Sequence, residues 1–169
     1  MLIFVDTEFT DFIQCELISI GLVSEDEQYS LYLEVSDFER ALCNAFVQSA
    51  VLPQLGQSST ATMPKSDVQA ALLTWFARLP SEVSLAVDSQ YDLDLLQDIV
   101  GGQWPTGVSS WVDLRPMATT AAFKQAMANY HNNPARPWHH ALHDAYGLRA
   151  GWLAWQASSD PAVDSAAVV

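Results

Sequence analysis

The apolar residues of the N-terminal third fall into three short runs whose spacing is that of strands. Leu2 to Phe9 is a compact apolar run ending in acids, and Glu16 to Ser24 is rich in Ile, Leu and Val. Gln28 to Val35 alternates, with Tyr29, Leu31, Leu33 and Val35 on one face. Asp26-Glu27 suits a tight turn between the second and third runs, so antiparallel pairing is expected. Helical spacing dominates afterwards. Ser36 or Asp37 is expected to cap a helix to about Ser49, stopped at Leu52-Pro53, with a polar loop over Gly56 to Thr62. Ser66 then caps a helix whose apolar positions are Val68, Ala71, Leu72, Trp75, Phe76 and Leu79, ended by Pro80.

A strand is expected at Val83 to Val87, and a helix from about Ser89 to Val100 closed by Gly101-Gly102. Ser110 to Val112 reads as a short strand, followed by helices at about Pro116 to Tyr130 and His139 to Gln156. A meander followed by alternating helices and strands predicts one α/β domain, 1–157, built on a mixed sheet. Residues 158–169 are small and polar without periodicity, the pattern of a frayed tail.

Composition narrows the function. The chain has 169 residues, half of them hydrophobic and 16% charged, enough to bury a core without disulfides or structural metals. Cys15 and Cys43 lie in or beside apolar segments without metal-ligand spacing, as expected of reduced thiols in a cytoplasmic protein. The opening Leu2-Ile3-Phe4-Val5 is too short for a signal-peptide core, and no run is long enough to span a bilayer. Twenty acids against seven Lys and Arg give a net charge of −13 with no basic tract. Nucleic-acid binders usually carry a basic footprint, so any such contact must be local and helped by metal cations.

Four carboxylates occupy costly places. Asp6 and Glu8 end the first strand at i and i+2 on the same face, and the first cation in the chain is Arg40. Like charges so placed repel unless something positive lies between them; solvated acids at an exposed strand end are the alternative. Asp92 fits a capping box with Ser89, yet it also falls at the C-terminal lip of the sheet, where α/β sites gather. Asp144 lies on or beside the apolar stripe Ala141, Ala145, Leu148, Trp152 and Trp155, with no Lys or Arg at i±3 or i±4. A buried carboxylate there needs a distant cation, a raised pKa or a metal; a boundary position is the alternative. His139 precedes Asp144 by five residues, about 140° around a helix, so it belongs in the loop or first turn rather than on the same face. His139, His140 and His143 lack the further ligands that would make a zinc site.

The order of these residues is more specific than any one of them. Asp-Thr-Glu ending the first strand, Tyr91-Asp92 opening a middle helix, and His-His-Ala-Leu-His-Asp opening the last resemble the DEDD exonuclease superfamily. A histidine five before the last aspartate marks the DEDDh branch. Phe-Val-Asp-Thr-Glu-Phe, Leu-Ile-Ser-Ile-Gly-Leu-Val, Val-Leu-Pro-Gln-Leu and Val-Asp-Leu-Arg are similar to the compact bacterial 3′–5′ exoribonucleases related to RNase T and oligoribonuclease, over about residues 1 to 155. The resemblance implies an RNase H-like fold, two Mg²⁺ or Mn²⁺ ions, often a homodimer, and a nucleic-acid 3′ end as substrate, RNA in preference to DNA. It assigns Asp6, Glu8 and Asp144 to the metals, Asp92 to the second ion directly or through water, and His139 to the proton of the attacking water. Phe9 and Tyr91, adjoining two of those acids, are expected to sandwich terminal bases, although two core aromatics fit as well. Asp88 departs from the pattern, since many relatives have Asn or another neutral polar residue there. A DNA exonuclease of the proofreading type and a non-catalytic binding module on the same fold remain as alternatives.

The charge balance generates a test. A protein neutralising ~6–10 phosphates loses about 10³–10⁵ in affinity between 50 and 200 mM salt. Seven cations in the whole chain cannot build such a track. Binding measured with Ca²⁺, to prevent cleavage, is expected to depend shallowly on salt and to stop improving beyond a few nucleotides. Affinity that climbs with length and collapses with salt would contradict this.

Overall fold

The computed structural model describes residues 1–80 and 82–159. Its centre is a six-stranded mixed sheet in the order β4-β3-β2-β1-β5-β6. The strands are β1 (Leu2–Phe9), β2 (Leu17–Ser24), β3 (Ser30–Val35), β4 (Thr62–Met63), β5 (Val83–Val87) and β6 (Val108–Asp113). β1 to β3 form the expected antiparallel meander, whereas β5 and β6 run parallel to β1. The helices are α1 (Lys65–Ala77), α2 (Gln90–Ile99), α3 (Arg115–Ala118), α4 (Ala121–His131) and α5 (Ala141–Ser159).

The period of two in β1 divides the molecule. Ile3 and Val5 face one core with Ile20, Leu22, Leu72, Phe76 and Leu96, from β2, α1 and α2. Phe4 faces the other, with Val23, Ala86, Phe123, Ala145 and Leu148. That second face is built in rows across β2, β1 and β5. Val23, Phe4 and Ala86 form an apolar row under α5, set by the pairs Phe4–Val23 and Phe4–Ala86. The next row toward the end of β1 holds Gly21 beside Asp6, and continuing the β1–β5 register by two residues adds Asp88. The last row pairs Ser19 with Glu8.

Gly21 decides how low α5 sits. A Cβ there would lie inside the van der Waals shell of the Ala141 carbonyl and the Leu142 amide, so only hydrogen lets the helix start touch the sheet. Farther along, Arg149 and Trp152 clamp the β2–β3 turn: Arg149 Nε donates to the Glu25 carbonyl at 2.6 Å and pairs with Glu27, and Trp152 Nε1 donates to Glu25 Oε1 at 3.0 Å.

Several expectations need correction. The single helix from Ser36 or Asp37 to Ser49 is instead a 3₁₀ turn at Arg40–Leu42, a π-helical turn at Val47–Val51 and a 3₁₀ turn at Leu52–Gln54. Extended backbone at Cys43 interrupts it, and the Asn44 side chain, accepting from Val47 N at 2.9 Å, starts a second segment. The loop before α1 is not wholly irregular, because Thr62–Met63 pairs with Glu34–Val35. Buried Glu34 holds it there, accepting from Gly56 N, Thr62 Oγ1 at 2.6 Å and Tyr32 Oη at 3.0 Å. α1 starts at Lys65 after Pro64 rather than at a Ser66 cap, a place where a missing N–H costs nothing. The helix expected over Pro116 to Tyr130 is two, because the Thr120 hydroxyl caps a new start by accepting from Phe123 N. α5 begins at Ala141, since His139 has a left-handed φ of 62° that a helix cannot continue. Ser158 and Ser159 extend α5, and the rest of the expected tail lies outside the described residues.

Gly21→Ala is therefore expected to destabilise by at least the ~1–3 kcal/mol typical of overpacking, since backbone rather than a flexible side chain must move. The urea midpoint should fall with an unchanged slope; an unaltered midpoint would show that α5 can lift freely.

Candidate active site

The sequence-predicted acids meet at the C-terminal ends of β1 and β5, under the first turn of α5. Strand parity explains half of this: Asp6 and Glu8 continue the Leu2–Phe4 face and so point toward α5, whose start at Ala141 and Leu142 rests on Gly21 and carries Asp144 in its first turn. Carboxylate and imidazole atoms of Glu8, His139 and Asp144 all lie within 4.8 Å of one another. A second set, Asp6, Asp88 and Asp92, is equally close. Asp88 is the addition that motif order did not place.

Residues of opposite parity hold the acids still. Thr7, between Asp6 and Glu8, turns to the α2 side and binds Asp92 Oδ1 twice, from its amide at 3.0 Å and its hydroxyl at 2.7 Å. Asp92 thus ties the start of α2 to β1, while Ser89 caps the helix by accepting from Tyr91 N at 3.2 Å. Asp92 Oδ2 is buried with no partner, and Asp144 Oδ1, also buried, makes no hydrogen bond although His131 Nε2 lies 3.2 Å away. Orphaned carboxylate oxygens of this kind fit a hard divalent cation, whose preferred ligands are oxygen. Ligand chemistry and vacancy of partners agree: the residues present suit such ions.

His139 is fixed by its backbone. Its N–H donates to Asp144 Oδ2 at 2.9 Å, and Gln54 Nε2 reaches the carbonyls of Ala50, Trp138 and His139 at 2.7, 2.7 and 3.0 Å. The ring rests edge-on against half-exposed Phe46, with centroids 4.8 Å apart. A left-handed histidine is uncommon backbone, of the kind that collects at functional sites. His140 and His143 are spent elsewhere, on the Tyr32 ring at 4.3 Å and on the Tyr130 hydroxyl at 3.1 Å, and the three histidines do not form a ligand set among the described residues.

Sequence reasoning missed His131. It is buried at the end of α4, its Nδ1 2.9 Å from the Arg136 carbonyl and its Nε2 3.2 Å from Asp144 Oδ1. Trp138 stacks on its face at 3.8 Å, and Gly147 leaves room for the ring, since a Cβ there would sit 2.7 Å from Nε2. No local pattern signals this, because the contact depends on how α4 folds back on α5. Gln54 lies in the quoted Val-Leu-Pro-Gln-Leu segment and Thr7 in Asp-Thr-Glu, so both were within reach of the motifs.

The expected sandwich of Phe9 and Tyr91 is not what forms. Their rings stack on each other, centroids 5.2 Å apart at 22°, leaving no slot between them for a base. Phe12 adds an edge contact to both, at 5.2 and 5.3 Å, and is 65% exposed, with Ile13 beside it at 90%. Thr10 anchors that loop, its hydroxyl bonding the Gln14 carbonyl at 2.6 Å and the Glu16 amide at 3.0 Å. The result is an exposed aromatic platform beside the acids. Two adjacent apolar residues in a short polar loop were its overlooked sign.

Burial and mutual repulsion push the acids upward. Burial first, then Asp92, Asp144, Glu8 and Asp88, raises Asp6 well above the ordinary carboxylate range. Burial, then Asp144 and Asp92, carries Glu8 to about 8. Burial is also the first cause for Asp92 and Asp144, both raised to about 7. Burial lowers His139. A carboxylate raised on folding contributes stability that is full below its unfolded value and lost as pH climbs through the folded one. The metal-free protein should therefore melt progressively lower as pH rises from about 4.5 to 8, and Mg²⁺ or Mn²⁺ should restore most of the loss at pH 8. Melting that is flat or rising with pH across that window would contradict this electrostatic picture.

No family model and no curated protein matches the sequence. The structure is similar to that of a full-length 3′-exonuclease, with a TM-score of 0.64 and 13% identity over 93% of this chain and 81% of that one. It is similar to a 3′-exonuclease that recognises the histone mRNA stem-loop, with a TM-score of 0.63 and 14% identity over 92% and 63%. It is also similar to E. coli exonuclease I in complex with a dA16 oligonucleotide, at 0.60 and 12% over 97% of this chain and 42% of that one. The chain thus spans about two-fifths of exonuclease I. Its mixed sheet flanked by helices is the RNase H-like fold of these 3′-exonucleases.

Proposed function

We propose that the chain is a metal-dependent 3′–5′ exonuclease that hydrolyses phosphodiester bonds from the 3′ ends of RNA. One observation carries the reading: Asp6, Glu8, Asp92 and Asp144 converge at the sheet end with His139 beside them and no Lys or Arg pairing with any of them among the described residues. Such a set is stable in its ionised form only when cations complete it. Two Mg²⁺ or Mn²⁺ ions held by the four acids would supply positive charge to the attacking and leaving oxygens of an in-line displacement.

The chain's own residues do the rest. His139, its basicity kept below the usual histidine value by burial, takes the proton of the attacking water near neutral pH. Its pinned backbone fixes where the ring can go, and Gln54 does that pinning. Asp144 is oriented by the His139 amide, and His131 Nε2 lies 3.2 Å from its other carboxylate oxygen. Phe9, Tyr91 and Phe12 offer an exposed apolar patch on which terminal bases stack, in place of a sandwich. The preference for RNA and a homodimer rest on the motif resemblance, and a cytoplasmic location rests on the two free cysteines. A DNA substrate is the second reading, favoured by the likeness to exonuclease I in complex with dA16.

Paired 5′-labelled RNA and DNA oligonucleotides of one sequence, incubated with Mg²⁺ or Mn²⁺, should give a ladder descending from the 3′ end, faster for RNA. Asp6→Asn and Asp144→Asn should abolish it while leaving the metal-free melting temperature equal or slightly higher, because a like charge is removed. His139→Ala should slow hydrolysis by about 10²–10⁴ with metal binding nearly intact. An early internal cut, full activity of either Asn variant, or loss of metal binding in His139→Ala would overturn the corresponding assignment.

A further inference from the structure

Asp88 is the carboxylate that the motif does not explain. Two residues beyond the Phe4–Ala86 pair, it continues β5 on the face that Asp6 occupies in β1. Its oxygen lies within 4.8 Å of those of Asp6 and Asp92, and none of the ion pairs among the described residues includes it. The nearest basic residue along the chain past β6, Arg115, is held instead by Asp113, with Nε and a terminal nitrogen each 2.8 Å from its oxygens.

A second observation points into the same space. Asp92 is only 2% exposed; Thr7 occupies its Oδ1 with two hydrogen bonds, and Oδ2 is buried with no partner. A buried carboxylate oxygen without a partner is costly unless a proton or a cation meets it. Glu8 and Asp144 belong to the other set, with His139, so Asp6, Asp88 and Asp92 form a distinct group of three oxygens around one position.

We propose that Asp88 is a direct ligand of the second divalent cation, giving that position three carboxylates and filling it before any nucleic acid arrives. This rests on the proposed two-metal reading and extends it. With Asp6 and Asp92 alone the position would carry two carboxylates and would lean on a substrate phosphate to complete its charge. A third carboxylate removes that dependence, because hard cations gain affinity with ligand charge. An asparagine there presents a neutral carbonyl, which is why the acid at this position changes the chemistry of the site.

The test is a metal titration without nucleic acid. Mn²⁺ added to the metal-free protein is followed by calorimetry, and bound ions are counted from the loss of the free-Mn²⁺ electron paramagnetic resonance signal. The native chain should bind two ions. Asp88→Asn and, as a second variant, Asp88→Ser should bind one with native affinity and the other at least about 10-fold more weakly. Asp113→Asn, the neighbouring acid on β6, should behave as native. Melting of the metal-free variants at or above the native temperature establishes that they fold. Two ions bound unchanged by both Asp88 variants, or one ion in the native chain, would overturn the role of Asp88 and leave the exonuclease reading standing. No ion bound by any form would overturn that reading itself.

Discussion

Five carboxylates share the end of one sheet with no Lys or Arg pairing with them among the described residues, and the rest of the structure is arranged around that strain. The ion pairs that Lys and Arg make among the described residues lie elsewhere: Lys65 with Asp98 and Arg115 with Asp113 are largely exposed, and Arg149 with Glu27 braces a turn. Exposed pairs of that kind contribute little to stability. The acids are tolerated because burial and mutual repulsion let them keep protons in the metal-free state, Glu8 up to about 8, and because divalent cations can replace those protons. A core that closed over these groups without either device would not be stable.

Assembling them takes two packing solutions. On one face of β1, an apolar row under α5 gives way within two residues to a row of acids, and glycine at position 21 lets the helix start drop onto that boundary. Asp144 arrives in the first turn of α5, where the helix dipole favours a negative charge. On the other face, Thr7 reaches α2 and fixes Asp92. Strand alternation therefore sends ligands one way and their support the other. The same alternation keeps Ile3 and Val5 in the opposite core, so the site costs that core no apolar position.

How legible this was in the sequence follows from range. The strands of the meander, the Ser89 cap and the ordering of Asp6, Glu8, Asp92, His139 and Asp144 depend on local period and local spacing, and the chain displays both. The broken segment before α1 was illegible because Asn44 and Glu39 redirect hydrogen bonds that periodicity assumes will be helical. The split between α3 and α4 was signalled by Thr120, a residue whose hydroxyl competes for backbone donors, but the apolar spacing outweighed it in the reading. His131 lies against an aspartate 13 residues away in the next helix, and no pattern in one chain announces that contact; Gln54 acts on carbonyls more than 80 residues away, and only the Val-Leu-Pro-Gln-Leu segment marks it. Phe9 and Tyr91 lie against each other with Phe12 edge-on to both, a packing that their adjacency to the acids in sequence does not specify.

The acidic surface and the small platform together argue for recognition of an end rather than a length of strand. Each base stacked on an aromatic side chain contributes about 1–3 kcal/mol. Phe9, Phe12 and Tyr91 form one contiguous patch, so that gain is confined to the few nucleotides nearest the acids. Beyond the patch, every added phosphate approaches a chain of net charge −13 and gains no matching row of cations. Repulsion of this kind is screened over about 8 Å at physiological salt, so it does not prevent the terminal nucleotides from docking. It does remove any advantage in gripping the interior. On the proposed function, a free 3′ end, flexible enough to lay its last bases on the platform while its terminal phosphodiester enters among the carboxylates, would be the part of a nucleic acid that this surface accepts.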